Sequence, residues 1–311
     1  MIVNCSLMST TGYCCYRTTG TLHFLLATFD TMPASLHDAL ASIQQQLGVR
    51  VDNSLLEAEI LVEHITGVNR TQQRLRDQIL LSDQQLEDLE QLTKRRAGGE
   101  PLAYVLGNQP FWTLELQVTP DVLIPRPETE LLVERALHHL PADMSAQVVD
   151  LGTGSGAIAL SIAHERPQWR VWATDASARA LAVARRNARR LQLCNVQFTQ
   201  GKWCEPLGNE RFHLIISNPP YIGEGDPHLE PAVLAHEPRM ALLSGHDGLD
   251  AIRNITRQAP THLHSGGWIL LEHGWQQAAA VQALLESAGF VGVASHADLA
   301  GHLRVTEGRI A

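Results

Sequence analysis

The tetrapeptide Asn218-Pro219-Pro220-Tyr221 follows the apolar run Leu214-Ile215-Ile216 and Ser217, so it stands where a strand leaves a sheet. Its residue types suit the capture of a planar NH₂ group. The Asn218 side-chain oxygen accepts one hydrogen bond and the Pro219 carbonyl a second, so both protons on a nitrogen can be held. Pro219 and Pro220 fix φ and keep those acceptors aimed. Tyr221 can cover the flat face of the captured group. The alternative is a stiff strand-to-turn punctuation with no ligand.

Two further constellations bear on which chemistry this is. "VVDLGTGSGAIALSIA" sets Gly152, Gly154 and Gly156 between a buried strand and a helix. Glycines there permit a tight turn and let the backbone approach a ligand near the free N–H groups of the helix start. Because Gly152-x-Gly154-x-x-Ala157 also fits the dinucleotide pattern, the loop alone leaves hydride chemistry open, as well as a ligand-free turn. Asp175 ends the next strand in "VWATDAS" and can accept hydrogen bonds from both hydroxyls of a ribose, or simply cap a helix. Loop and acid together point to a nucleoside cofactor without saying which. A dehydrogenase leaves the nitrogen clamp without a job, whereas a transfer to nitrogen uses it.

The elements that must position these groups alternate along the chain. Strand patterns at 148–151, 171–174, 196–199, 214–217 and 268–272 are interleaved with helices starting at Ala157, Ser177 and Gln276. That alternation predicts a doubly wound parallel sheet, with 290–294 and 304–306 available as two last strands. Upstream, 111–125 alternates and turns at Thr119-Pro120-Asp121, which predicts a β-hairpin. From 36 to 97 the pattern is helical, with Leu55, Leu56, Ile60, Leu61 and Ile65 at steps of three and four. Met32-Pro33 opens its first helix, Ser82 is an N-cap candidate, and Gly98-Gly99 before Pro101 is a stop.

Composition narrows the classes. In 311 residues, 44% hydrophobic and 18% charged describe a globular chain with a substantial core. No apolar run approaches the length needed to span a bilayer. A formal charge of -9 gives no basic footprint for gripping long nucleic acid. Of five cysteines three fall in the first 15 residues, and no pair has metal-binding spacing. The expectation is a reduced, cytoplasmic protein with Cys194 and Cys204 as free thiols and no metal site. Residues 1–31 hold one Arg and one Asp, many Thr and Ser, and a short apolar stretch at 22–29. They make a poor signal peptide and read as an extension, disordered or arising from a start codon placed too early.

The tetrapeptide resembles the nitrogen-clamping motif of S-adenosylmethionine-dependent amino-methyltransferases. "LAYVLGNQPFW", "LIPRPETE", "DLGTGSGAIALSIA", "SNPPYI" and "LLEHGW" follow one another on an N-terminal helical region. In that order they make 33–311 similar to the release factor glutamine N5-methyltransferases (the PrmC/HemK family). The resemblance implies a Rossmann-like class I methyltransferase sheet, an N-terminal helical domain and a linking β-hairpin. It implies methylation of the glutamine in the Gly-Gly-Gln loop of bacterial class I peptide release factors. It gives cofactor contacts to Gly152, Thr153, Gly154, Ser155 and Gly156, ribose hydroxyls to Asp175, and the adenine side to Trp203. Asn218 then touches both cofactor and substrate, with Pro219, Pro220 and Tyr221 on the substrate side and Asn218, Pro219 and Tyr221 catalytic. Arg126, Pro127 and Glu128 close the pocket from the hairpin side, or merely start a helix, and Glu272 is a weaker candidate.

The domains read as 1–31 extension, 32–108 helical substrate-recognition domain, 109–125 hairpin linker and 126–311 catalytic domain. The chain departs from the family pattern at Lys202, where an acid commonly precedes the tryptophan, and at Leu303 and Glu307, where Asp and Leu are expected. A glutamine methyltransferase of a ribosomal protein shares the motifs. A DNA adenine methyltransferase lacks its basic insert here, and an oxidoreductase or a non-catalytic cofactor module leaves the clamp unexplained. A monomer without membrane or nucleic-acid contacts is expected. A chain starting at Met32 is predicted to stay soluble and active, and an insoluble or inactive product of that truncation would make the extension structural.

Overall fold

The computed structural model describes residues 14–18, 21–25, 35–48, 51–75, 79–227 and 229–311. They divide into two compact units, Met1–Ala97 and Gly98–Ala311. In the first, β1 (Cys14–Thr18) and β2 (Thr21–Leu25) pair antiparallel, a hairpin that the sequence reading did not foresee within 1–31. The rest of that extension lies outside the described residues. Helices α1 (Leu36–Leu47), α2 (Ser54–Thr66), α3 (Arg70–Leu75) and α4 (Asp83–Ala97) follow.

Helix α1 begins at Leu36, where Ser35 and Asp38 exchange capping-box hydrogen bonds, and the start expected at Met32-Pro33 lies outside the described residues. Ser82 does the same with Gln85 ahead of α4. Leu36, Ile43 and Leu47 of α1 and Leu61 and Val62 of α2 are fully or nearly fully buried, along with Leu89 of α4. Full burial of such a side chain stabilises by roughly 1.5–3 kcal/mol.

The second unit opens with α5 (Leu102–Leu106) and the antiparallel pair β3 (Asn108–Phe111) and β4 (Leu114–Gln117). Residues 98–108, given to the helical domain by the sequence reading, pack in this unit. Ala103, Tyr104 and Val105 of α5 are buried with Val122 and Ile124, and the Tyr104 hydroxyl donates to the Val122 carbonyl at 2.6 Å. The hairpin turns at Trp112-Thr113, not at Thr119-Pro120-Asp121. Trp112 adopts φ +55, a strained value for a non-glycine residue. Glu130 accepts from its backbone N–H at 2.7 Å and Glu165 from its indole at 2.8 Å, which hold it there. Thr119–Val122 forms a separate turn that pairs no strands.

After a 3₁₀ turn at Pro127–Thr129, α6 (Glu130–His139), β5 (Gln147–Leu151), α7 (Ala157–Glu165), β6 (Arg170–Asp175), α8 (Ala178–Arg190), β7 (Val196–Gln200) and β8 (Phe212–Ser217) alternate. Then come α9 (Pro231–His236), α10 (Asp250–Gln258), β9 (Leu263–Glu272), α11 (Ala278–Ser287), β10 (Phe290–Ala297) and β11 (Leu303–Ile310). The sheet order is β10-β11-β9-β8-β5-β6-β7. It is mixed rather than wholly parallel, because β11 runs antiparallel to both neighbours.

Alternation of side chains along the strands builds two cores. Val148, Leu214, Ile216 and Leu270 meet α6 and α7 on one face. Val149, Ile215, Ile269 and Leu271 meet α10 and α11 on the other. Strands β5, β6, β8 and β9 end nearly level, since Leu151 pairs with Thr174, Asp150 with Ile216 and Ser217 with Leu271. Gly152, Asp175, Asn218 and Glu272 therefore emerge at one edge. The crossover from β5–β6–β7 on one side to β8–β9 on the other makes a switch point, where ligands bind in such sheets. Among the described residues no helix is long and apolar enough to cross a membrane.

Glu307, standing where the family pattern has Leu, is buried in β11, where Arg135 at 2.8 Å, His139 at 2.9 Å and His296 at 3.0 Å surround it. Burial raises its pKa, but the hydrogen bonds from His139 and Arg135 outweigh that and bring the carboxyl down to about 2, against 4.5 unperturbed. The folded carboxyl is depressed, so its contribution is complete above about 4.5 and lost as pH falls towards 2. Glu307→Gln should destabilise the chain by about 1.5–3 kcal/mol at neutral pH. Denaturant titrations should show that difference vanishing through the same acid window, and a pH-independent difference would contradict the assignment.

Candidate active site

The glycine loop is pinned before any ligand arrives. Gly152 and Thr153 both donate their N–H groups to the Thr174 carbonyl on β6, at 2.8 and 2.9 Å. Thr153 Oγ1 donates to Asp150 Oδ2 at 2.6 Å, and the Ala159 N–H donates to the same oxygen at 3.2 Å. Gly156 starts α7 without a side chain to cap it, so the Asp150 carboxyl takes over that task. Burial pushes Asp150 up to about 7, opposed by Thr153 and Ala159 and assisted by the charge of Asp175. The sequence reading passed over Asp150, although an acid in the apolar run "VVDLG" was a usable sign. Gly154 adopts φ +57 and a Cβ added there would meet nothing within 4 Å, so its backbone borders open space.

Asp175 accepts from the Gly154 N–H through Oδ2 at 2.9 Å and from the Ser177 N–H through Oδ1 at 2.8 Å. Burial raises its pKa, against those two bonds. The cap of α8 is Ser177, whose hydroxyl accepts from Ala180 at 3.1 Å. Two backbone bonds leave lone pairs on the Asp175 carboxylate for a pair of hydroxyls. Trp203 holds φ +53 with its carbonyl taking the Thr174 hydroxyl at 3.2 Å, and its ring lies against Gly152. Its buried indole N–H has no hydrogen-bond partner.

Gly152, Gly154, Asp175 and Trp203 border a cleft of about 380 Å³, whereas Thr153, Ser155 and Gly156, expected to contact the cofactor, do not line it. Lys202 lines it too, and Met240, Asp250 and Asn254 supply an outer wall that the sequence reading did not assign. The volume falls in the range of about 300–1,000 Å³ typical of small-molecule sites. Open backbone at Gly154 and spare acceptors on Asp175 fit an adenosyl cofactor.

Asn218 borders this cleft and a second, wider one of about 1150 Å³, which Arg126, Glu128, Tyr221, Glu272 and Arg304 also line. The Ser217 hydroxyl, donating to the Leu151 carbonyl at 2.6 Å, ties the end of β8 beside the glycine loop. Asn218 Nδ2 donates to Thr129 Oγ1 at 3.0 Å, which leaves Oδ1 as the acceptor. Pro219 is buried and Pro220 lines the smaller cleft. The Tyr221 hydroxyl reaches Glu272 Oε1 at 3.3 Å, and its carbonyl accepts from Gln277 at 3.0 Å. Gly248, at φ +77, lets that carbonyl pass where a Cβ would stand 2.1 Å from it.

Arg126 forms an ion pair with the buried Glu237, which also accepts from the Ile124 N–H at 3.1 Å. It thus braces the wall as well as lining the wider cleft. Thr129 escaped the sequence reading although its neighbours 126–128 were named, since nothing in "RPETE" marks the threonine as the partner of an asparagine 89 positions away. Asp175→Ala should weaken adenosyl-cofactor binding by about 1.5–3 kcal/mol for each charged hydrogen bond lost. Calorimetry checks it, and unchanged affinity would remove Asp175 from the ribose.

A family model described as the methyltransferase small domain matches residues 128–235, and one described as the PrmC N-terminal domain matches 38–107. The chain is 46% identical to the release factor glutamine methyltransferase of Coxiella burnetii, over 88% of this chain and 99% of that protein. It is 51% identical to the protein of that name from Xylella fastidiosa, over 82% of this chain and 92% of the relative. A solved protein-(glutamine-N5) methyltransferase (release factor-specific) from Alicyclobacillus acidocaldarius is 31% identical, covering 63% of this chain and 99% of that one with a TM-score of 0.38. The seven-stranded mixed sheet is the class I methyltransferase sheet that the resemblance implied. From its helical N-terminal region to its last strands, the chain belongs to the release factor glutamine methyltransferase family.

Proposed function

We propose that this chain methylates the side-chain nitrogen of the glutamine in the Gly-Gly-Gln motif of bacterial class I peptide release factors, using S-adenosylmethionine. The observation that carries the reading is the place of Asn218, on the border of both clefts with Oδ1 left as an acceptor. The relatives named above support the release factor as substrate and do not favour a ribosomal protein. The proposal includes a monomeric, cytoplasmic enzyme without nucleic-acid recognition.

A carboxamide nitrogen is a poor nucleophile because its lone pair is delocalised into the carbonyl. The cofactor supplies a methyl group already activated by the sulfonium. What remains for the protein is alignment, with the nitrogen in line at roughly 3–3.5 Å from the methyl carbon. Asn218 Oδ1 and the Pro219 carbonyl accept the two N–H bonds, fix the amide plane and favour positive charge as it develops on nitrogen. No strong base is needed before attack, since the nitrogen becomes acidic once methylated and then loses a proton. Tyr221 packs on the amide and, through its hydroxyl on Glu272, keeps its ring in one place. Gly152, Gly154, Asp175 and Trp203 hold the cofactor from the other side.

Asn218→Ala should leave cofactor affinity within a few-fold of normal and lower single-turnover methylation of a release factor by roughly 10²–10³. Asn218→Asp keeps an acceptor but adds a charge beside the substrate carbonyl, so it should recover only part of the rate. Near-normal transfer by the alanine variant would reduce the tetrapeptide to a stiff turn.

A further inference from the structure

The wider cleft has more room than the alignment chemistry uses. At about 1150 Å³ it exceeds the range of about 300–1,000 Å³ typical of small-molecule sites, so one glutamine side chain fills only part of it. Asn218 and Tyr221 line it, so the segment that delivers the glutamine has to lie along the remainder.

That remainder is unbalanced in charge. Glu128 in the 3₁₀ turn, Glu224 after the tetrapeptide and Glu230 ahead of α9 are exposed on its wall. No cation pairs with these three among the described residues, and Glu230, at the N-cap of α9, makes no capping hydrogen bond there. The two arginines on the wall are already engaged, Arg126 by Glu237 and Arg304 by Asp298 at 3.0 Å, and neither of those acids lines the cleft.

Exposed carboxylates alone make only a solvated face. Glu272 adds an observation of a different kind. It lines the same cleft with 1% of its surface exposed. The Tyr221 hydroxyl reaches its Oε1 at 3.3 Å, while its buried Oε2 has no partner among the described residues. A buried acceptor left unmade is costly, and more so when charged, which favours a donor arriving from the cleft. Trp275, three positions on, is half exposed on the same wall. An indole face attracts an ammonium or guanidinium group within about 6 Å of its centre.

We propose that the wider cleft recognises a basic stretch of the release factor, with Lys or Arg side chains near the glutamine seated among Glu128, Glu224, Glu230 and Glu272. The proposal rests on the functional reading given above. Asn218 holds the amide, the exposed carboxylates receive the neighbouring cations, and Glu272 Oε2 takes one of their N–H groups. Burial pushes the Glu272 carboxyl up to about 7, and a cation at Oε2 favours its ionised form. The same wall repels phosphate, so a nucleic acid is the wrong occupant. Exposed pairs are individually weak and screened by salt, so these acids act on capture of the release factor and not on the transfer step.

The test uses the full chain, a purified release factor and saturating S-adenosylmethionine. Glu224 and Glu230 are exposed, so replacing them leaves the core untouched. Glu224→Gln with Glu230→Gln should raise KM for the release factor about 3–10-fold, the scale of two exposed ion pairs, with kcat and cofactor affinity within about twofold. Glu224→Lys with Glu230→Lys should raise KM further. Added salt should raise the KM of the unmodified chain more than that of either pair. Glu134→Lys with Glu286→Lys makes the same change of net charge at exposed acids outside both clefts, and should leave KM within about twofold. In calorimetry a decalysine peptide should bind the cofactor-loaded chain, with affinity about fivefold or more weaker for the Glu224→Lys, Glu230→Lys chain, whereas decaglutamate should not bind. A KM within about twofold of normal for that chain, or an equal rise from Glu134→Lys with Glu286→Lys, overturns the proposal. An unmodified chain that never methylates the release factor overturns the functional reading. Decalysine bound equally by the unmodified and the Glu224→Lys, Glu230→Lys chains overturns this proposal whether or not methylation occurs.

Discussion

The hydrogen bond from the Ser217 hydroxyl to the Leu151 carbonyl is the contact on which the rest of the site depends. It joins the carboxyl ends of β8 and β5 at the point where the sheet's connections change direction. Because β5, β6, β8 and β9 end in register, the glycine loop, Asp175, Asn218 and Glu272 share one edge without any long-range adjustment. Fully buried residues such as Leu214, Ile215 and Ile216 anchor β8 on both faces, so Asn218 is carried by a rigid strand and not by a mobile loop. Alignment chemistry needs that rigidity, since a displacement of about 1 Å can cost roughly 10²-fold in rate.

The unit also shows how four acids in one fold are given different tasks by their surroundings. Asp150 is buried against a hydroxyl and one N–H, which serves the loop and the start of α7. Asp175 is held by two backbone N–H groups and keeps spare acceptors towards the cleft. Glu272 is buried with the Tyr221 hydroxyl on Oε1 and no partner on Oε2, where ionisation is costly. Glu307 has Arg135 and two histidines around it and stays charged. Desolvation acts on all four, and the number and charge of the donors decide the outcome.

Much of this was legible in the residues. The βα alternation, the glycine loop, Asp175 and the tetrapeptide carried the sheet and both sides of the site, because each is a local pattern with a local physical cause. What escaped depends on contacts distant in sequence. Thr129 meets Asn218 across 89 positions, and Asp150 acts only once the loop has folded over it. The hairpin turn was misplaced because Thr119-Pro120-Asp121 has turn chemistry, whereas Trp112 is held in an unfavourable conformation by Glu130 and Glu165. Glu307 read only as a departure from the family pattern, because its partner Arg135 lies on a helix 172 positions upstream.

The central claim is that the two clefts meeting at Asn218 carry a methyl group to a glutamine side-chain nitrogen. Mass spectrometry of a purified class I release factor, digested after incubation with this chain and S-adenosylmethionine, tests it most directly. The account predicts one added methyl group on the glutamine of the Gly-Gly-Gln peptide. An unmodified peptide with the cofactor bound, or a methyl group found only on a ribosomal protein offered alongside, would contradict it.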